Sequence, residues 1–483
     1  MATLGRTRAP RETVARPEPA RLARGVLTNF DISAATLANI APAMSFFFGF
    51  AGIVTAAGVA APLTVIAAMI AIALLGNTLS QFSRSRPSTG SFVTFIGRSF
   101  GGYPAVVAAV VLGAGYILAV ASVVAISGGW TETIIKHYLH ITIPWQILTA
   151  VLVAGSLYLT IAGAKPSTNI AAIFFGFEAL LLVVVAISLL IQHSGSINLK
   201  PFDPGNLHRG FSGLSLGFPL AVYLFIGWEN SAAMAEETRD PRTAVPKAVF
   251  SSIALIGVLY VFLAYSTVIG FNNNAGKLTA ASVPMVDAAA GVASFLAFCA
   301  YIAGFTSIVS SLISATNSQA RIIFNSGREG LLPSVTGRVT ARTQTPYVAF
   351  IVFLGLALGL TYVFCRSSNP DGVVVFFGEI ATLGTILVAF TYLVANLALP
   401  VYFRRFHPER FNPITHAVLP LLGVVAIGYP LYELVKPGQP APYDIYGWIA
   451  LGILVVAMVW GFLVYRRDPG LGERVGSIVA DAE

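Results

Sequence analysis

The sequence predicts an all-α polytopic membrane protein of twelve transmembrane helices, arranged as a 5+5 inverted repeat with discontinuous helices 1 and 6 and two further helices appended. Three observations carry this reading. The chain is 56% hydrophobic and only 10% charged, against roughly 25% charged in soluble domains, which excludes a single globular core. Twelve apolar runs reach the length of about 20 residues that a bilayer crossing requires. The first and sixth runs are interrupted near their middles by residues that weaken helices.

In order, the runs cover residues 30–56, 62–83, 104–128, 145–163, 168–191, 212–235, 247–271, 286–319, 346–365, 373–399, 417–435 and 444–465. Repeat one is 30–191, repeat two 212–399, and helices 11 and 12 fill 417–465, within a membrane domain of 29–466. Residues 1–28 are rich in Arg and Pro and lack the apolar core and small-residue cleavage site of a secretory signal. They read as a disordered cytoplasmic tail, and residues 467–483 as a second cytoplasmic tail.

The net charge of +8 has a topological explanation. With the N-terminus inside, the inner loops and tails hold 23 of the 29 Lys and Arg residues and the outer loops hold six. That split follows the positive-inside rule, with both termini cytoplasmic in an inner or plasma membrane. No nucleic-acid role is needed to explain it. Cys299 and Cys365 lie in or at the end of apolar runs and suit no disulfide framework. The six histidines show no metal-hydrolase spacing, so no metal or other cofactor is expected.

Run 1 carries Ala41-Pro42-Ala43-Met44-Ser45 at its middle. Proline removes a backbone donor and clashes with the preceding turn. In lipid the freed backbone groups need protein or an aqueous cavity beside them. Run 6 has its weak point at Ile226-Gly227-Trp228, next to Glu229. Taken singly, Pro42 is a kink and Gly227 a packing glycine. Interruptions at corresponding positions of two halves, however, point to a transporter binding site. Glu236 and Glu237 mark where run 6 reaches the cytoplasm, followed by the inside charges Arg239, Arg242 and Lys247. Glu229 lies about two turns deeper, as a brace between helices or as part of a pathway.

The stretch "FIGWENSAAMAEETRDPRTAVPKAV" (225–249) resembles the helix 6 to helix 7 signature of the amino acid–polyamine–organocation permeases, F-x-G-F-E, then A-E-E, then K/R-N/D-P-x-x-x-I/V-P-x-A. "RPSTGSFVTFIGRSFG" (86–101) is similar to that family's loop after helix 2, and "SQARIIFNSGREGLLPSVTGRVTARTQTP" (318–346) to the end of its helix 8. The resemblance covers about residues 30–465. It implies a LeuT-like inverted repeat with substrate held near the midplane by the unwound parts of helices 1 and 6. Half-helix N-termini favour an α-carboxylate, and half-helix C-termini and free carbonyls favour an ammonium. The substrate-binding residues so implied are Ala41, Ala43, Met44, Ser45, Phe225, Ile226 and Gly227, with Ala43, Met44 and Ser45 as N–H donors because Pro42 has none. Two departures stand out. Ala41-Pro42-Ala43 replaces the family's Gly-x-Gly-like break, and Ser91 replaces the second glycine of the loop after helix 2.

Tyr223 falls where some members place an aromatic gate, its alternative being a packing aromatic. Tyr116 is a second candidate cavity residue. Several members carry a coupling lysine in helix 5; here the only ionisable residue in that run is Glu178, since Lys165 is too near the surface. A lone carboxyl at that depth is costly to ionise, which suits a group that binds and releases one proton per cycle. It equally suits a neutral hydrogen-bonded brace, or a partner for a substrate cation. Glu229 is the second candidate for ion or proton coupling. Sodium is the alternative coupling ion, through Thr306, Ser307, Ser310, Ser311 and Ser314 on helix 8, although such residues also serve simply as helix-packing surfaces. Asp287 and Glu379 are placed near the outer surface.

The expectation is therefore a secondary active transporter, not an enzyme, that moves an amino acid or related amine by alternating access as a proton-coupled symporter. Its partners are that small molecule and the lipid bilayer, and a monomer suffices. The alternatives are a sodium-coupled or obligate-exchange permease for a polyamine or other organic cation, or an ion channel. A channel lacks a repeated filter sequence here. An enzyme lacks a convergent nucleophile and base, and a primary pump lacks the G-x-x-x-x-G-K-S/T phosphate loop.

Overall fold

The computed structural model describes residues 20–480, which contain helices and turns but no strand. Ten helical runs among the described residues are long and apolar enough to cross a membrane, and a shorter apolar helix spans Phe211–Tyr223. The first run, Asn29–Ser85, has 57 residues. Straight, it would be about 85 Å long, against a hydrocarbon layer of about 30 Å. It is divided instead into α1 (Asn29–Ile40), α2 (Pro42–Ala57) and α3 (Ala61–Ser85). Gly58, at φ +67°, turns the chain back after α2. Counting two crossings here, and one for Phe211–Tyr223 with the turns after it, gives twelve.

The two halves correspond element by element. In the first, α1 and α2 form the broken helix, followed by α3, a connecting helix α4 (Ser91–Phe100), then α5 (Gly102–Leu139), α6 (Trp145–Ala162) and α7 (Ala164–Gln192). In the second, α8 (Phe211–Tyr223), six residues of turn and α9 (Asn230–Ala233) form the broken helix. Then come α10 (Pro241–Gly270), connecting helices α11 (Ala275–Ala280) and α12 (Pro284–Val292), α13 (Ser294–Glu329), α14 (Tyr347–Phe364) and α15 (Pro370–Phe406). The paired helices α5 and α13 have 38 and 36 residues, and α6 and α14 have 18 each. α4 lies on the face that carries the chain ends, whereas α11 packs on the turn between α2 and α3 at the opposite face. Inversion of one half relative to the other places them so. α16 (Leu419–Val435) and α17 (Tyr446–Arg467) follow, then a short α18 (Leu471–Arg474).

The face with the chain ends is sealed by both of them. Residues 20–28, read above as part of a disordered tail, are docked. Leu22 and Leu27 are buried. The Leu27 N–H donates to the Glu237 carbonyl at 2.9 Å, and its carbonyl accepts from Arg239 N–H at 2.9 Å. Thr28 then caps α1 in a reciprocal box with Asp31, and Lys165 reaches Asp31 at 2.6 Å. The second tail is docked as well. Leu471 and Val475 are buried, the Gly476 N–H donates to Glu329 at 3.1 Å, and the Ala480 N–H donates to the Pro87 carbonyl at 3.0 Å. In both cases buried leucine or valine and paired backbone supply the attachment that composition alone hid. Residues 1–19 and 481–483 of the two expected tails lie outside the described residues.

At the centre, α5 crosses α15 with backbones nearly touching. A Cβ on Gly384 would lie 2.9 Å from both the Ala119 nitrogen and the Gly115 carbonyl oxygen. Small residues allow this approach, and it fixes the part of α5 that faces the helix breaks. Cys299 and Cys365 are both buried and unpaired.

Two non-glycine residues hold left-handed backbone at conspicuous places. Ala41, between α1 and α2, has φ +53° and Ser91, opening α4, has φ +46°. Both occupy positions where the resemblance leads one to expect glycine. An L-residue there costs roughly 1–2 kcal/mol, offset by about 0.4–1 kcal/mol of extra chain entropy in a glycine variant. Ala41→Gly and Ser91→Gly are each expected to stabilise the protein by about 0.5–1 kcal/mol, read as a raised thermal midpoint in detergent. Two unchanged or lowered midpoints would contradict this.

Candidate functional site

The interrupted helices meet. α1 ends at Ile40, and Ala41 reverses the backbone direction so that α2 starts afresh at Pro42. Opposite, residues 224–229 run as turns between α8 and α9, with Gly227 at φ +107°. A Cβ on Gly227 would stand 2.6 Å from Asn39 Nδ2 and 3.2 Å from the Asn39 carbonyl carbon. Only glycine lets the two breaks touch this closely.

The loose backbone groups at the first break are taken up by α7 and α13. Glu178, fully buried on α7, accepts the Ala43 N–H at 3.2 Å and lies 3.5 Å from the Ser310 hydroxyl. The Met44 N–H donates to Ser307 at 3.1 Å. The Ser45 N–H is spent on the Ala41 carbonyl and its hydroxyl on the Ile40 carbonyl, at 2.9 and 2.7 Å. On the α1 side, the Ala38 carbonyl accepts from Ser310 at 3.5 Å and the Asn39 carbonyl from Ser311 at 3.3 Å. The expectation that Ala43, Met44 and Ser45 present free N–H donors is therefore corrected. The Glu178 carboxyl on α7 already caps α2 at the end that helix dipoles make electropositive. No basic side chain pairs with Glu178 among the described residues.

A narrow cavity of about 40 Å³ lies between the breaks. Of the residues implied by the family resemblance, Met44, Ser45, Tyr223 and Ile226 line it. Ala41 and Ala43 sit on the break without lining the cavity, and Gly227 packs on Asn39 instead. The Phe225 ring turns away to meet Tyr260 edge-on at 5.4 Å. Tyr116 is also turned away. Its hydroxyl donates to Glu229 at 2.7 Å, and the second Glu229 oxygen accepts the Gly227 N–H at 3.1 Å. Glu229 thus ties α5 to the turns after α8. Sequence reasoning missed Asn39 and Ile40 on α1, Ala119, Val120 and Val123 on α5, and Ala315 and Gln319 on α13, and it named Ser311 only among candidate sodium ligands. Nothing in a single apolar run distinguishes the face that meets a break from the face that meets lipid.

Tyr223 also lines a second cavity of about 60 Å³, with Phe48, Phe377 and Thr382, on the side away from the chain ends. Its ring meets Phe377 edge-on at 6.4 Å. Tyr223 therefore borders both cavities. Towards the chain ends lie two buried ion pairs, Glu237 with Arg321 and Glu236 with Arg328. Glu236 and Glu237, expected at the surface, are 2% and 0% exposed, because arginines far along the chain neutralise them. Among the described residues no cluster of His, Cys, Asp or Glu has the makings of a metal site. Asp287 is exposed at the start of α12, and Glu379 is half-buried on α15.

Comparison with known proteins agrees with this architecture. The family model described as amino acid permease matches residues 28–464. The branched-chain amino acid permease BcaP of Bacillus subtilis is 24% identical, over 92% of this chain and 94% of its own length. The methylthioribose transporter of the same organism is 25% identical over 96% and 98%. Cationic amino acid transporter 4 of mouse is 27% identical over 62% of this chain and 48% of its own. With a model match across nearly the whole of the helical domain and relatives that are transporters rather than enzymes, this chain belongs to the amino acid permease family.

Proposed function

We propose that this permease moves an uncharged amino acid into the cell by alternating access, with a proton carried on Glu178. The observation that carries the reading is the cavity between the two helix breaks, bordered by Tyr223, with the buried ion pairs towards the chain ends. The face with the chain ends is the cytoplasmic one, since it gathers Arg84, Arg86, Arg98, Lys165 and Arg242. Tyr223 then serves as the outer gate, and the pairs Glu237–Arg321 and Glu236–Arg328 as the inner one.

An uncharged substrate follows from the lining. No acidic side chain borders the cavity. Glu229 is engaged with Tyr116 and Gly227, and Glu178 sits behind the break. A cationic side chain would lie there uncompensated, which is expensive in so dry a place. The aliphatic wall of Ala119, Val120 and Val123 agrees with an uncharged substrate.

Glu178 touches both halves of the broken helix, α2 directly and α1 through Ser310. Ionised, it is held by the Ala43 N–H and the start of α2; protonated, it loses most of that attraction. The protonation state of one side chain therefore biases the hinge at Ala41, which is what coupling requires. A sodium ion is the second reading, favoured by the oxygens of Ser307, Ser310, Ala38 and Glu178 that converge here. Purified protein in sealed vesicles, offered labelled neutral and cationic amino acids, methylthioribose and putrescine, tests the proposal. Saturable uptake of neutral amino acids, stimulated by an inward proton gradient and indifferent to sodium, is expected. Sodium-driven uptake, or preference for a cation, would overturn it.

A further inference from the structure

Gln319 stands on α13 two turns beyond Ser311 in the direction of the inner gate, and it borders the inner cavity. It is 6% exposed, yet its side-chain oxygen has no hydrogen-bond partner among the described residues. An unpaired buried amide oxygen is costly, and buried groups of this kind are almost always satisfied in native structures. Its neighbours on the cavity wall, Ala119, Val120, Val123 and Ala315, offer no side-chain donor. Helical side chains lean towards the helix N-terminus, which on α13 carries the Gln319 amide back towards Ser311 and the breaks. The remaining polar side chains of the cavity are Asn39, Ser45 and Ser311 at the breaks, where the substrate's own ammonium and carboxylate would lie, and Tyr223 on the outer side. The lining is thus polar at the breaks, apolar in between, and polar once more at Gln319.

We infer that Gln319 determines specificity, reading a hydrogen-bonding group on the substrate side chain, so that the permease favours amino acids with an uncharged polar side chain over their aliphatic isosteres. The inference rests on the neutral-substrate reading above. An amide supplies both an acceptor and a donor, so it serves a hydroxyl and a carboxamide alike. A site that hydrogen-bonds a substrate group rejects the analogue lacking it, because its own buried group is then left unpaired. One such bond is worth about a tenfold preference.

Two isosteric pairs separate polarity from shape: threonine with valine, and asparagine with leucine, the second reaching one bond further into the cavity. The measurement is the ratio of kcat/KM for uptake within each pair, in vesicles, for wild type and for Gln319→Met and Gln319→Leu. Wild type is expected to favour the polar member of at least one pair about tenfold. The variants are expected to lose that preference while still transporting the aliphatic member, which shows that they are folded. If wild type prefers the aliphatic member in both pairs, or if both variants transport and keep the wild-type ratios, the inference is wrong and the neutral-substrate reading stands. If wild type carries none of the four but accepts lysine or arginine, the neutral-substrate reading itself fails, and the inference with it.

Discussion

Replacing Arg321 with methionine is expected to destabilise the protein by about 3–5 kcal/mol. Both members of the Arg321–Glu237 pair are buried to within 1% of complete. The guanidinium spans both Glu237 oxygens, with its second contact at 3.2 Å. It also donates to Asn317 at 3.2 Å and lies 5.4 Å from the centre of the Phe350 ring. Removing it leaves a carboxylate in a dry site beside Glu236. Removing both charges leaves no ion to compensate, so Arg321→Met with Glu237→Met is expected to recover much of the loss. The check is the thermal midpoint of the purified protein in detergent, with size-exclusion profiles for both variants. A single variant as stable as wild type would mean that the pair is not the inner gate proposed here.

The second large effect is at the contact between the breaks. Gly227→Ala puts an L-residue at φ +107° and drives its Cβ into Asn39. The backbone term alone is roughly 1–2 kcal/mol, and overpacking adds about 1–3 kcal/mol. The strain falls on the segment that must reshape around substrate, so uptake is expected to drop at least tenfold even where the protein still purifies. Gly355→Ala on α14 is the control. A Cβ there meets nothing within 4 Å, and alanine suits a helix better than glycine. Equal uptake in the two variants would show that the breaks do not need to touch.

Much of this was readable along the chain, and the physical reason is locality. Pro42 and Gly227 announce the breaks because proline and glycine act on their own turn. The isolated Glu178 is visible because nothing else in the apolar run 168–191 is ionisable. What escaped was long-range. Glu236 and Glu237 read as surface markers, yet their partners Arg328 and Arg321 lie 92 and 84 residues away. The donors assigned to substrate at Ala43 and Met44 were already claimed by α7 and α13, 135 and 263 residues away. Ala41 and Ser91 looked like departures from glycine and are left-handed all the same, because the fold imposes that backbone whichever residue is present.

The central claim is that the carboxyl on α7, holding the start of α2, links a proton to the movement of the broken helix. Wild type and Glu178→Gln, reconstituted side by side, test it most directly through two readings of a neutral amino acid: uptake driven by an inward proton gradient, and one-for-one exchange without any gradient. Gln keeps the shape and can still accept the Ala43 N–H, but it cannot carry the proton. The account predicts that Glu178→Gln keeps exchange and loses gradient-driven accumulation. Accumulation in Glu178→Gln equal to wild type would contradict it, and would reduce Glu178 to a brace for the helix break.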